Sequence, residues 1–176
     1  MDRHAGFTLL ELIFSTLIVV GLLAWGVPNF RVLRLNAERT RQVNEFIQAI
    51  YLARSEAIKR NGVVSLCPSA DGFACGLTGT PWHTGWIVFV NLDRDSPAVR
   101  DPGEQLLRVY APWLNGKVIA NRSTLSFRPF GQSGVTATFT FCDERDEGEA
   151  RAVIISQTGR PRASSRGASG RPLRCI

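Results

Sequence analysis

The chain opens with its longest apolar run. Residues 7–27, Phe-Thr-Leu-Leu-Glu-Leu-Ile-Phe-Ser-Thr-Leu-Ile-Val-Val-Gly-Leu-Leu-Ala-Trp-Gly-Val, carry a single charge, Glu11. As a helix rising about 1.5 Å per residue they reach about 30 Å, the thickness of the hydrocarbon core of a bilayer. Beyond Pro28 the pattern becomes amphipathic. Leu35, Val43, Phe46, Ile47, Ile50, Ala53 and Ala57 share one face at helical spacing. Arg39, Arg41, Glu45, Arg54, Glu56 and Lys59 are expected on the other face. Asn61-Gly62 is a stop signal. The pattern predicts one long helix over residues 7–60, kinked near Pro28, with its first half in a membrane and its second half laid against a sheet.

From Val63 the period changes from 3.6 to two. Strands are predicted at 63–67, 86–92, 105–110, 117–120, 124–127, 135–141 and 152–156, with strict alternation in Thr136-Ala137-Thr138-Phe139-Thr140-Phe141. Turn formers such as Asp101-Pro102-Gly103, Asn115-Gly116 and Gly131-Gln132-Ser133-Gly134 separate them. One helix followed by a run of strands predicts an α+β fold with antiparallel sheet. Residues 160–174, rich in Arg, Ser, Gly and Pro, are expected to be irregular unless something ties them down. The organisation is a leader over 1–6, an apolar helix over 7–28, its amphipathic continuation over 29–61, a β domain over 62–158 and a tail over 159–176.

Charge sharpens the picture of that tail. The formal net charge is +6, and residues 159–176 hold five arginines and no acid. The other 158 residues then carry 16 basic against 15 acidic groups, so nearly all the excess sits in eighteen residues. A basic tail of this kind points to an anionic partner. Nineteen of the 21 basic residues are arginine, the side chain suited to bidentate phosphate contacts.

Four cysteines, Cys67, Cys75, Cys142 and Cys175, follow the apolar run, an even number that fits an oxidising compartment. Two disulfides are the plainer reading than a zinc site with His83, and the sequence leaves three connectivities open. Chemistry beyond this is sparse. No Gly-rich phosphate loop and no Gly-x-Ser-x-Gly elbow occurs, the acids are scattered, and His83 stands alone between Trp82 and Thr84. No catalytic residue, metal or cofactor is expected, and no enzyme. Asp93, Asp95 and Glu104 fall on the first, third and twelfth positions of a calcium loop. Pro97 and Ala98 stand where an oxygen ligand and a glycine belong, so a solvated loop is expected instead.

The segment Gly6-Phe7-Thr8-Leu9-Leu10-Glu11-Leu12 ahead of an apolar run resembles the type IV pilin and pseudopilin family. The resemblance implies that prepilin peptidase cuts after Gly6 and methylates the new N-terminal Phe7. It also implies that Glu11 serves filament assembly. A charge deep in lipid is costly and calls for a partner, here the α-amino group of Phe7. Further words resemble the GspH/FimT branch of minor pilins and pseudopilins: Leu66-Cys67-Pro68-Ser69 with Cys75, Gly85-Trp86-Ile87-Val88-Phe89, Phe127-Arg128-Pro129, and Phe139-Thr140-Phe141-Cys142-Asp143. In that branch small sheets pack on the C-terminal half of the helix, and Cys67–Cys75 and Cys142–Cys175 are the pairs implied. Gly159-Arg160-Pro161-Arg162 matches the Gly-Arg-x-Arg motif of the FimT members, which bind DNA during natural transformation.

In an extended chain Arg160 and Arg162 point the same way, about 6–7 Å apart. Arg166, Arg171 and Arg174 could extend the patch. The expectation is therefore a minor pilin closest to FimT. It would be anchored by a single pass in the inner membrane with a periplasmic domain, assemble with other pilins, and bind double-stranded DNA through Gly159, Arg160, Arg162 and the outer arginines. The alternative is a structural GspH-like pseudopilin of a type II secretion system without DNA binding.

Overall fold

In a computed structural model of the protein, residues 8–145 and 149–175 are described, Pro28 by its backbone alone. The expected cleavage site, Gly6 and Phe7, lies outside the described residues. The chain divides into two units, Met1–Glu38 and Arg39–Ile176. One helix, α1 (Leu9–Arg60), contributes to both.

In the first unit Thr8 caps the helix. Its Oγ1 accepts from the Glu11 N–H at 3.3 Å and its carbonyl from the Leu12 N–H at 3.2 Å. Thr8-Leu9-Leu10-Glu11 thus has the spacing of a capping box, and Glu11 stands in the first turn, where a carboxylate favours the positive end of the helix dipole. Its carboxylate has no partner among the described residues. Ser15 and Thr16 donate their hydroxyls to carbonyls three and four residues back, so neither hydroxyl is left free on the run. The helix continues through Pro28, and beside it the Asn29 carboxamide donates to the Trp25 carbonyl at 2.9 Å. From Leu9 to Leu33 the large apolar side chains are exposed, and this stretch is long and apolar enough to cross a membrane.

The second unit carries the core. Seven strands stand where the alternation placed them: β1 (Val63–Pro68), β2 (Trp86–Asn91), β3 (Leu106–Tyr110), β4 (Gly116–Ala120), β5 (Leu125–Phe127), β6 (Ala137–Asp143) and β7 (Arg151–Ile155). An eighth, β8 (Pro161–Ser164), lies in the segment expected to be irregular. All pairings are antiparallel, in two four-stranded sheets ordered β3-β2-β1-β5 and β4-β6-β7-β8. Phe46 on α1 is fully buried, with its ring edge-on to Trp82 and Trp86 and tilted on Phe139 at 4.5 Å. Around it Val43, Ala49, Ile50, Ala53 and Ala57 meet residues of both sheets.

Each face of the second sheet has its own cluster. Phe139, Phe141, Val153 and Ile155 join the α1 core. Cys142, Ala152 and Ile154 point to the opposite face and pack with Leu173 and Cys175 of the C-terminal segment. That face would otherwise lie open to water, and the C-terminal segment covers part of it.

One expectation about the helix is overturned. Arg39 does not face away; it is 3% exposed. Its Nη1 donates to Asp143 Oδ2 at 3.0 Å, and Glu149 lies 3.6 Å from Nη2. Asp143 also accepts from the Arg145 Nη2, Nε and backbone N–H. Burial pushes the Asp143 carboxyl up, but these hydrogen bonds and the two guanidinium charges outweigh it and hold it below the ordinary carboxylate range. For Arg39 burial is the larger cause and lowers its pKa. Helical spacing cannot reveal a carboxylate 104 residues away that draws an arginine inward.

Candidate nucleic-acid interface

The Gly159-Arg160-Pro161-Arg162 segment forms the return arm of a hairpin. Strands β7 and β8 pair from Ala152↔Ser164 to Ile155↔Pro161. The ladder continues through Ser156 N–H to the Arg160 carbonyl at 3.2 Å, and Gly159 N–H donates to the Ser156 carbonyl at 2.8 Å. This leaves a three-residue loop, Gln157-Thr158-Gly159, with Gly159 in the left-handed region at φ +74°. Three-residue hairpins favour glycine at that position.

Gly159 is needed for a second reason: it is buried. A Cβ there would run into the Gly131 carbonyl and sit 3.1 Å from the Phe127 ring. The same Gly131 carbonyl accepts from Arg54 Nε on α1 at 2.9 Å. The turn is thus seated on the core between β5 and the helix. Gly159 aims the arginines and presents no surface of its own.

Arg160 and Arg162 are both exposed. Arg162 stands opposite Ile154, and antiparallel partners share a face, so it lies on the side covered by the C-terminal segment. The strand alternation puts Arg160 on the same side. Strand β8 is an edge strand, so both side chains project from a border with no further strand beyond it.

The segment that follows is tied down at several points. Arg166 bridges Pro172, Gly167 N–H donates to the Arg171 carbonyl at 2.9 Å, and Gly170 N–H to the Gly167 carbonyl. Leu173 is buried on the outer face, and Cys175 is joined to Cys142 of β6. Arg166, Arg171 and Arg174 are exposed along this return, and Arg166 Nη1 reaches the Gly170 carbonyl. All five arginines are therefore carried on a closed loop stapled at β6. None of them has a carboxylate partner among the described residues. The irregularity expected of residues 160–174 is replaced by a strand and a hydrogen-bonded turn because the disulfide and Leu173 supply long-range anchors.

The second disulfide, Cys67–Cys75, closes the loop after β1. The acids weighed for calcium are engaged by their own loop. Glu104 is buried and accepts from the Leu92 and Asp101 N–H groups, and Asp95 accepts from Asn91 Nδ2 and Val99 N–H. His83 lies in a short 3-10 turn (Trp82–Thr84) and accepts weakly from Val118 N–H at 3.5 Å. Glu11 belongs to the first unit and takes no part in this interface.

The supports of the hairpin have no local signal in the sequence. Phe127, Gly131 and Ser133, whose hydroxyl donates to the Ser156 carbonyl at 3.1 Å, come from a segment more than twenty residues earlier. Gly131 and Ser133 appear in the sequence only as turn formers and Phe127 only within a predicted strand and a family word, and none of these signals points to the hairpin.

A long helix whose second half packs on two antiparallel sheets, preceded by an exposed apolar stretch, is the type IV pilin fold. The model of the family described as type II transport protein GspH matches residues 42–159, about two thirds of the chain, and the protein belongs to that family of minor pilins and pseudopilins. No curated protein matches the chain.

Two solved relatives carry the fold. The type IV minor pilin FimU of Pseudomonas aeruginosa PAO1 is 20% identical, with a TM-score of 0.56, over 78% of this chain and 99% of its own. The minor pseudopilin EpsH of the Vibrio cholerae type 2 secretion system is 12% identical, with a TM-score of 0.50, over 72% and 96%. The family match ends at Gly159, one residue before the first arginine of the arm. The arginine-bearing arm lies beyond the matched residues.

Proposed function

We propose that the protein is a FimT-like minor pilin that binds double-stranded DNA without sequence preference and serves DNA uptake in natural transformation. The observation that carries this reading is the arginine arm. Arg160 and Arg162 project from an edge strand, free of carboxylates among the described residues, and the loop that bears them is closed by Cys142–Cys175. A fixed arm loses little conformational entropy on binding, so more of the electrostatic attraction appears as affinity. Guanidinium–phosphate contacts position a duplex but carry no sequence information. The role we assign to the arm is binding.

In this reading residues 1–6 are removed by prepilin peptidase, Phe7 is methylated, and α1 anchors the preprotein in the inner membrane before it joins other pilins in a filament. The exposed apolar run and the membership of the pilin class support that course. The competing role is a structural pseudopilin of a type II secretion system, the system named for EpsH.

Full-length protein in neutral detergent micelles should bind unrelated DNA duplexes equally well. With three to five phosphates contacted, log affinity should fall with log salt at a slope of about −3 to −4.5. Arg160→Gln with Arg162→Gln should flatten the slope by about two units without changing the fold, and transformation should fall while secretion stays constant. A folded protein with no affinity at low salt, or a double variant that binds like the parent, would give the case to the structural role.

A further inference from the structure

A second group of uncompensated arginines lies beside the hairpin. An open cleft of about 750 Å³ runs along the border of β5, and Arg94, Arg122 and Arg128 line it. All three are exposed, and none forms an ion pair with a carboxylate among the described residues. By contrast Arg39, Arg41, Arg60 and Arg145 each pair with an acid. The one carboxylate on the wall, Asp95, is turned to Asn91 and Val99. Ser96, Ser123, Thr124, Ser126 and Ser133 add hydroxyls to the lining, and the Ser126 hydroxyl is bonded to that of Ser65 behind it at 2.7 Å. A cleft with cationic rims and a hydroxyl-bearing lining suits an anionic ligand better than an apolar one.

The cleft and the arginine arm share a wall. Ser133 lines the cleft and donates to the Ser156 carbonyl, and Ser156 is the residue whose N–H bonds Arg160. The Gly131 carbonyl, in the turn that follows Arg128, is the surface on which Gly159 sits. On the other side Arg122 Nε donates to the Thr136 carbonyl at 3.3 Å. Thr136 precedes Ala137, which pairs Ile155, so it falls in the row of Ser156 and Arg160. Arg122 follows β4, on the far side of β6, three strands from β8 and about 14 Å away at the usual strand spacing.

We infer that the Arg94–Arg122–Arg128 cleft is a second phosphate-binding site, which holds the sugar–phosphate backbone of the same duplex that the β8 arginines engage. The inference rests on the DNA-binding reading above and extends it. The arm and its return loop present their arginines at one end of the sheet order, beside β8. A second set beyond β6 adds contacts away from that end and restricts the direction and tilt of a bound duplex. The sequence hides this arrangement, because the three arginines are separated by 28 and 6 residues and come from three different loops.

The test is the salt dependence of duplex binding by full-length protein in micelles. Arg122→Gln with Arg128→Gln should lower affinity at low salt at least tenfold and flatten the slope of log affinity against log salt by about 1.8 units, 0.9 for each phosphate lost. Arg122→Lys with Arg128→Lys keeps the charges and should retain most of the slope. Ser123→Asp, at an exposed residue of the cleft wall, adds an opposing charge and should weaken binding without touching an arginine, so a folding defect in the Gln pair would not decide the matter. If the parent binds, and Arg160→Gln with Arg162→Gln flattens the slope while the Gln pair and Ser123→Asp both behave like the parent, the cleft plays no part and the arm alone is the site. If the parent fails to bind DNA at low salt, the DNA-binding reading falls, and the cleft assignment with it.

Discussion

Replacing Asp143 with Asn tests the buried ion cluster at the end of β6. The carboxylate is 5% exposed and accepts four hydrogen bonds, one from Arg39, two from the Arg145 guanidinium and one from the Arg145 backbone N–H. Asn keeps the size and one acceptor oxygen. It removes the charge and turns an N–H₂ toward guanidinium groups that also donate. Arg145 is partly exposed and can swing to water, but Arg39 is 3% exposed and cannot. Its charge would remain in the core without the Asp143 carboxylate, with Glu149 at 3.6 Å. Breaking a buried pair in this way costs about 3–5 kcal/mol. In a unit of this size that lowers Tm by roughly 10 °C.

Urea unfolding of a fragment beginning at Asn29, which contains the whole core, reads the loss at neutral pH. The pH dependence gives an independent check. The folded pKa of Asp143 is depressed, so its stabilisation is complete above the ordinary carboxylate value of 3.8 and is lost as pH falls through the folded value. The gap between parent and variant should therefore be widest near pH 7 and close in acid. Arg39→Met with Asp143→Leu, which removes the charges together, should recover most of the stability. A cost under about 1 kcal/mol at pH 7 for Asp143→Asn, or a gap that does not change with pH, would show that the cluster is not what holds this strand to the helix.

Gly159→Ala should destabilise the fragment by at least about 1–2 kcal/mol for the left-handed backbone alone. It should also reduce DNA affinity although no charge is removed; unchanged affinity would separate the turn from the site. Cys142→Ser with Cys175→Ser opens a span of 33 residues and should cost about 3–4 kcal/mol by chemical denaturation, together with a loss of DNA affinity. The Cys67→Ser, Cys75→Ser pair, which opens a span of 8, should cost about 2–3 kcal/mol and leave DNA binding alone. Mass spectrometry of membrane-extracted protein should find a chain starting at methylated Phe7. Glu11→Ala should be processed normally yet fail to enter pili, an outcome read by immunoblot of sheared filaments.

The sequence by itself determined most of the elements. A 21-residue apolar run, an apolar stripe at helical spacing and a change of period at Val63 are local signals. They depend on which residues follow one another, so the helix and seven strands were legible. Charge bookkeeping likewise located the basic segment, because counting needs no coordinates. What lay beyond reach depends on contacts between residues far apart in the chain. Arg39 reads as a solvent-facing residue and is buried because Asp143 waits inside. Residues 161–164 lack strand character and form β8 because Gly159 can turn only in the space left by Phe127 and Gly131, and because Cys175 is held at β6. Arg94, Arg122 and Arg128 carry no shared signal in sequence and line one cleft only when β5 and the loop before β6 are brought side by side. Tertiary structure decided these points for one physical reason: burial and charge pairing act through space, and the period of a sequence reports only on the neighbours it repeats.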